Sequence, residues 1–170
     1  MKNFLRLLLP CVAMTLVACS TPAPKTEITT FVIVRHAEKG TDDARDPSLS
    51  EAGQARAQAL ALLLADAPLT AAYATAYRRT QQTAAPAAGT HGLEVTTYDA
   101  QSTASEFASQ LRSNHRGGTI LVVGHSNTVP DIAAALSQRA TEPMPEETFD
   151  RLYRVTLATD GTATLIVERY

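Results

Sequence analysis

The stretch Phe31-Val32-Ile33-Val34-Arg35-His36 decides the fold of this chain, together with Ile120-Leu121-Val122-Val123-Gly124-His125 further along. Each stretch is an apolar, β-branched run that ends in a histidine, and such a run predicts a buried strand of a parallel sheet. In open α/β sheets, ligands bind just beyond the carboxyl ends of the strands. We therefore expect the two histidines to meet across one crevice at the edge of a sheet.

The rest of the chain from residue 28 to residue 170 alternates between predicted strands and helices. Strands are predicted at 29–34, 71–74, 93–98 and 119–123, and helices at 50–64, 77–85, 105–112 and 128–136. Pro86 and Gly89 are expected to end the second helix, and Leu60, Leu63 and Leu64 to form the apolar stripe of the first. Two alternating runs flank Asp160-Gly161, which predicts a β-hairpin. This order predicts a three-layer α/β/α domain with a mainly parallel sheet and a C-terminal β-hairpin.

The first 18 residues have the pattern of a signal peptide. A basic start with Lys2 and Arg6 precedes an apolar run over residues 7–18, which is shorter than the ~20 residues of a transmembrane helix. The run ends in Leu16-Val17-Ala18-Cys19, which resembles the lipobox of bacterial lipoproteins; an ordinary signal peptide that contains a cysteine is the alternative. The resemblance implies a lipid anchor at Cys19, a tether over residues 19–27, and a place in the bacterial cell envelope, at the outer membrane facing the periplasm.

Charge and cysteine content exclude several classes of protein. The 170 residues include 15 Lys and Arg against 17 Asp and Glu, a net charge of −2, so nothing indicates a nucleic-acid surface. Cys11 lies in the predicted signal, which leaves Cys19 as the only cysteine of the processed chain. The domain therefore has no disulfide and no catalytic thiolate. Residues 28–170 have the length of one domain with a sizeable core.

Three predicted strand ends bring candidate residues to one edge. Arg35 and His36 can share a pocket only where the first strand has ended, because adjacent strand residues face opposite sides. Arg78 and Arg79 begin a helix, where cations oppose the macrodipole unless an anion lies nearby; one of them is expected to face the pocket. His125 follows the last parallel strand. Two histidines and two arginines form a cationic pocket suited to a phosphoryl group.

The spacing of these residues argues against two other kinds of site. Arginines beside the histidines would repel a metal ion, and the chain has no H-x-H or H-E-x-x-H motif, so we expect neither a metal nor another cofactor. It has no G-x-S-x-G motif either, which argues against a serine hydrolase.

The chain resembles the histidine phosphatase superfamily, with its phosphoglycerate mutase-like fold, over nearly all of residues 28–170. The motifs that carry the resemblance are Val34-Arg35-His36-Ala37-Glu38, Leu49-Ser50-Glu51-Ala52-Gly53, Arg79-Thr80-Gln81-Gln82-Thr83-Ala84 and Val123-Gly124-His125-Ser126-Asn127-Thr128. The resemblance implies that His36 is the nucleophile that becomes phosphorylated. It implies that Arg35, Arg79 and His125 bind the phosphoryl oxygens, and its register selects Arg79 over Arg78.

The chain departs from the family at two points. Ala37 stands where the family usually has glycine. The mutases of the family carry a long insertion with a glutamate as general acid, whereas this chain has only residues 84–118 in that place. Asp99, just after a predicted strand, is the nearest acidic candidate, and Glu38 and Glu106 are weaker ones; a loop or helix-capping carboxylate is the alternative role for Asp99.

The resemblance predicts a metal-independent phosphatase that acts on phosphomonoesters or phosphohistidine through a phosphohistidine intermediate. Its substrate would be a phosphorylated small molecule, glycan or protein. Because the chain lacks the insertion that carries the general acid of the mutases, the alternative is a non-catalytic phosphate-binding envelope lipoprotein. Short loops disfavour a mutase, which must shelter its phosphoenzyme from water.

Overall fold

A computed structural model describes residues 28–170, so the predicted signal peptide, Cys19 and the tether lie outside the described residues. The strands are β1 (Thr29–Arg35), β2 (Leu69–Ala74), β3 (Val95–Thr97), β4 (Gly118–Gly124), β5 (Arg151–Leu157) and β6 (Ala163–Arg169). The helices are α1 (Glu51–Leu63), α2 (Arg78–Thr90), α3 (Ala104–Asn114) and α4 (Val129–Ser137). None of the helices within residues 28–170 has the length and apolar character needed to cross a membrane.

The six strands form one sheet in the order β3-β2-β4-β1-β5-β6. Strands β1, β2, β3 and β4 run parallel to one another, whereas β5 is antiparallel to β1 and β6 is antiparallel to β5. The predicted architecture, a mainly parallel sheet that ends in a β-hairpin, is confirmed.

Helices cover both faces of this sheet, which makes three layers. Phe31 and Ile33 of β1 lie in a core shared with α3 and α4, and Val32 and Val34 lie in a core shared with α1 and α2. All four side chains are fully buried. The apolar run is continuous because both sides of β1 face a hydrophobic layer, and burial of apolar surface at about 25 cal/mol per Å² holds the layers together.

Two helices differ from the sequence prediction. α2 continues through Pro86 to Thr90, because the buried face that begins at Ala84 continues with Ala87 and Ala88 against the sheet. In α1, Leu60 and Leu64 are buried as expected, but Leu63 is about half exposed. Adjacent helical residues lie about 100° apart, and this rotation takes Leu63 off the buried face.

The antiparallel β5 controls what reaches the edge of the sheet where β1 and β4 end. Leu152 pairs with Val34 near the carboxyl end of β1, so the chain that precedes β5 arrives at that edge. We call residues 138–150, between α4 and β5, the return segment. It lies next to the predicted site.

Candidate active site

A cavity of about 450 Å³ opens at the carboxyl ends of β1, β2 and β4. Its lining combines the predicted histidines and arginines with polar residues from five loops. The lining residues are Arg35, His36, Lys39, Tyr77, Arg79, Ala100, Gln101, His125, Ser126, Asn127, Thr128 and Glu146.

The pairing of β1 with β4 brings the two histidines together. Arg35 stands opposite Gly124 in the parallel register, and the His36 amide donates to the Gly124 carbonyl at 2.9 Å. The ring centroids of His36 and His125 are 5.4 Å apart. The two strand-end histidines therefore share one cavity, as the sequence indicated.

The His36 ring is fixed in one orientation by its backbone. The distance from Nδ1 to the Ala37 carbonyl oxygen is 2.8 Å; a carbonyl only accepts, so Nδ1 carries the proton and Nε2 keeps its lone pair. Burial lowers the pKa of His36 to about 4, and the positive charges of Arg35 and Arg79 add to this effect, against the opposing hydrogen bond to Ala37. At neutral pH the imidazole is therefore uncharged.

Arg35 is 3% exposed and lies between an aromatic ring and a carboxylate. Its guanidinium lies 4.3 Å from the centroid of the Phe149 ring. Nη2 pairs with Glu146 Oε2 at 2.8 Å, and Nη1 donates to the Glu146 carbonyl oxygen. Within the described part of the chain, the buried Nε has no hydrogen-bond partner. A phosphoryl oxygen would satisfy this donor.

Glu146, on the return segment, is the functional residue that sequence reasoning missed. It supplies the one carboxylate among the lining residues, and its second oxygen accepts from the Ser126 hydroxyl. The Ser126 hydrogen bond and then the charge of Arg35 lower the pKa of Glu146, so this side chain is ionised. The signal that could have found it is the C-terminal hairpin, since an antiparallel β5 brings the chain before it to the site.

The structure separates the two arginines at the start of α2. Arg79 lines the cavity, with its guanidinium 4.3 Å from the centroid of the Tyr77 ring and 3.7 Å from an Asp46 carboxylate oxygen. Arg78 is not among the lining residues, and its guanidinium pairs with Asp42 at 3.2 Å. Arg79 is thus the member of the pair that the structure brings to the cavity.

A chain of buried hydroxyl groups holds His125. Thr80 Oγ1 lies 2.7 Å from the Tyr77 carbonyl oxygen, to which it donates. Thr75 then donates to Thr80 at 2.8 Å and accepts from His125 Nε2 at 3.0 Å. This places the proton of neutral His125 on Nε2 and its lone pair on Nδ1. Burial, followed by the charge of Arg79, lowers the pKa of His125 to about 4.

The three acidic residues considered as proton donors do not line the cavity. Asp99 accepts from the Gln101 amide at 2.9 Å, the loop role weighed as its alternative. Glu38 is ion-paired with Arg56 at 2.7 Å. Glu106 completes the capping box at the start of α3. Each carboxylate thus has a structural partner of its own.

Gly124 is required by a close approach. A Cβ atom at this position would lie 2.8 Å from the Tyr98 hydroxyl oxygen and 3.0 Å from Thr128 Oγ1. Thr128 precedes α4, as predicted, but its hydroxyl caps no helix amide; it accepts from the His125 amide at 3.1 Å. Gly124 and Thr128 therefore fix the backbone of His125.

The charges around the cavity favour an anion over a cation. Among residues 28–170, no group of three or more His, Cys, Asp or Glu side chains could hold a metal ion. The one carboxylate beside the histidines is already bonded to Arg35 and Ser126. Two guanidinium groups surround space that a phosphate would fit.

One family profile matches part of the chain. Residues 31–100 match the sequence profile of the histidine phosphatase superfamily (branch 1). The matched segment includes Arg35, His36 and Arg79 but covers less than half of the chain; His125 and Glu146 lie beyond it. No curated protein matches the chain.

Several solved structures share this fold. The putative phosphohistidine phosphatase SixA from Nakamurella multipartitia is 21% identical, with a TM-score of 0.59 over 84% of this chain and 96% of its own. The protein histidine phosphatase SixA in complex with tungstate is 18% identical, with a TM-score of 0.63 over 82% and 96%. A mycobacterial glucosyl-3-phosphoglycerate phosphatase is 14% identical, with a TM-score of 0.65 over 85% and 99%. These similarities establish the phosphoglycerate mutase-like fold, and with the profile match they support the histidine phosphatase superfamily.

Proposed function

We propose that this chain is a phosphatase that hydrolyses phosphomonoesters or phosphohistidine, without a metal ion, through a covalent phosphohistidine on His36. The observation that carries the proposal is the fixed His36 ring, whose Nδ1–H is bonded to the Ala37 carbonyl while Nε2 keeps a free lone pair. Arg35 and Arg79 line the same cavity. The family match over residues 31–100 supports the same chemistry.

In the first step the Nε2 lone pair of His36 attacks phosphorus. The bond from phosphorus to the leaving oxygen, or to the leaving nitrogen of phosphohistidine, breaks, and its electron pair leaves with that atom. Arg35 Nε and the Arg79 guanidinium neutralise the oxygens of the transferring group, while the neutral His125 ring, whose one N–H is bonded to Thr75, lines the same cavity. Phosphoryl transfer depends chiefly on such positioning and electrostatic stabilisation.

In the second step water attacks the phosphorus of phosphohistidine. The N–P bond breaks, His36 Nε2 regains its lone pair, and both protons of the water stay on the released phosphate. The hydrogen bond from Nδ1 to the Ala37 carbonyl lasts through both steps, so the ring returns to its starting tautomer.

Substitution of His36 tests the mechanism. We expect His36→Ala to reduce hydrolysis of an aryl phosphate to background in the presence of a chelator. Rapid quenching should trap an acid-labile, base-stable phosphoenzyme in the unsubstituted protein only. His91→Ala is the matched control, since His91 lies outside the cavity with its ring bonded to the Leu64 carbonyl. Activity that survives in His36→Ala refutes the covalent mechanism.

One observation favours a second candidate function, a non-catalytic phosphate-binding protein. The cavity lining holds Glu146 as its one carboxyl group, and the pKa of Glu146 is lowered, so no neutral acid stands ready to protonate a leaving oxygen. If the protein binds vanadate but turns over no phosphorylated compound, this second function is correct.

We also propose that the chain is a lipoprotein of the bacterial envelope, anchored at Cys19 and facing the periplasm. The support is the sequence Leu16-Val17-Ala18-Cys19 at the end of the apolar run. Metabolic labelling with a palmitate analogue should mark the protein and the Cys11→Ser control but not Cys19→Ser. Label on Cys19→Ser would contradict the proposal.

A further inference from the structure

A second cavity, of about 320 Å³, adjoins the candidate active site. Three residues, Ala100, Asn127 and Thr128, line both cavities, so the two are separated by no more than one layer of side chains. The other lining residues of the second cavity come from the loop after β3 and the first turns of α3 and α4. They are Tyr98, Ser102, Thr103, Ala104, Phe107, Asp131 and Ile132.

The two cavities differ in chemical character. The first is lined by charged groups, whereas the second has an aromatic floor formed by Tyr98 and Phe107, with ring centroids 4.1 Å apart and planes 10° from parallel. Ala104 and Ile132 add aliphatic walls. Among the described residues that line it, Asp131 is the one charged side chain, and its negative charge disfavours a second anionic group.

The aromatic floor lies directly against the catalytic edge. The absence of a side chain at Gly124 lets the Tyr98 hydroxyl approach the residue before His125. Burial raises the pKa of Tyr98, so its ring stays neutral. A group attached to a phosphate in the first cavity would meet this apolar surface next to His125.

From this arrangement we propose that the second cavity holds the leaving group, and that the preferred substrates are phosphomonoesters of an apolar aromatic alcohol. The inference rests on the proposed phosphatase function and specifies its substrate class. An aromatic ring matches a cavity lined by aromatic and aliphatic side chains.

The lack of a neutral acid in the active cavity points to the same class. When the P–O bond breaks, an aryl oxygen leaves as a phenolate, whose conjugate acid has a pKa of about 10. It therefore needs no protonation in the transition state and takes its proton from water afterwards. An alkyl oxygen would need an acid that the lining residues do not offer.

A series of para-alkylphenyl phosphates tests the inference on the full-length protein. Phenyl, 4-methylphenyl, 4-ethylphenyl and 4-propylphenyl phosphate release phenols of nearly equal acidity, so the chemical step stays constant along the series. We expect kcat/KM to rise about fourfold for each carbon that enters the cavity. A flat series overturns the inference, while turnover of phenyl phosphate keeps the phosphatase proposal; no turnover of any member overturns both.

Two variants show whether the gain comes from the second cavity. Ala104→Leu should fill part of the cavity and flatten the series, so that the 4-alkyl members are hydrolysed no faster than phenyl phosphate. Ser105→Leu, at the exposed neighbouring position that does not line the cavity, is the matched control and should keep the gain. Phe107→Leu removes one aromatic ring from the cavity lining. In this variant kcat/KM should continue to rise to longer alkyl chains before it becomes constant. An unchanged series in both Ala104→Leu and Phe107→Leu would contradict the inference.

Discussion

Glu146→Gln should tighten the binding of phosphate-like anions. The Glu146 carboxylate accepts from Arg35 Nη2 and from the Ser126 hydroxyl, and both donors belong to residues that line the cavity. Burying the Arg35 guanidinium without a negatively charged partner would be costly, and the Glu146 carboxylate supplies that charge. Because the Glu146 side chain is 79% exposed, an incoming phosphate can displace it into water.

The size of the effect follows from the contacts that are lost. An ion pair with one exposed partner contributes about 0.2–1 kcal/mol, and the hydrogen bond from Ser126 contributes on the order of 1 kcal/mol. Their sum of about 1–2 kcal/mol corresponds to a factor of roughly 5–30 in affinity. Added salt screens the exposed carboxylate, so the difference between Glu146→Gln and the unsubstituted protein should shrink as ionic strength rises.

Titration with orthovanadate, followed by calorimetry or by inhibition, measures this change. Glu147→Gln removes the same charge from the next residue, which is exposed and does not line the cavity, and should leave the affinity unchanged. Equal or weaker vanadate binding by Glu146→Gln would show that the Glu146 carboxylate does not compete with the anion for Arg35 and Ser126. A large fall in kcat without a change in affinity would instead assign Glu146 to proton transfer.

Three further predictions concern stability and the second histidine. The pKa values of His36 and His125 are lowered to about 4 from an ordinary 6.5, so between these pH values the unfolded chain binds more protons than the folded chain. The Tm should therefore fall as the pH drops from 6.5 to 4 and stay level above pH 6.5. In His36→Gln this fall in Tm should be smaller. Gly53→Ala would place a Cβ atom 2.1 Å from a carbonyl oxygen of the loop after β1 and should lower Tm and activity, whereas Gly89→Ala meets nothing within 4 Å and should be neutral or stabilising. Thr75→Val removes the acceptor of His125 Nε2 and should lower kcat/KM while circular dichroism stays unchanged; full activity would contradict the hydroxyl chain.

Local patterns were sufficient to predict the fold and the position of its edge. The apolar runs before His36 and His125 specify strands buried on both faces, and parallel strands leave their carboxyl ends at one edge. Arg79 was selected by resemblance alone, since the helix pattern treats Arg78 and Arg79 alike. The structure distinguishes them because Arg78 is ion-paired with Asp42 outside the cavity lining.

The contacts missed by the sequence join residues far apart in the chain. Glu146 is 111 residues from Arg35, and no periodic pattern connects an exposed glutamate to a buried arginine. Thr75 reaches His125 across 50 residues through a hydroxyl group. At Pro86 a local pattern gave a wrong prediction, because burial of Ala87 and Ala88 overrides the preference of proline to end a helix.

The direction of β1 has a consequence for where the reaction would take place. Thr29 begins the strand at one end of the sheet and Arg35 ends it at the cavity, a separation of about 20 Å for six steps of roughly 3.3 Å. With the proposed lipid on Cys19, the membrane holds the chain by the amino end of this strand. On that proposal the attachment point and the cavity lie at opposite ends of β1. We then expect substrate to reach the cavity from the aqueous compartment.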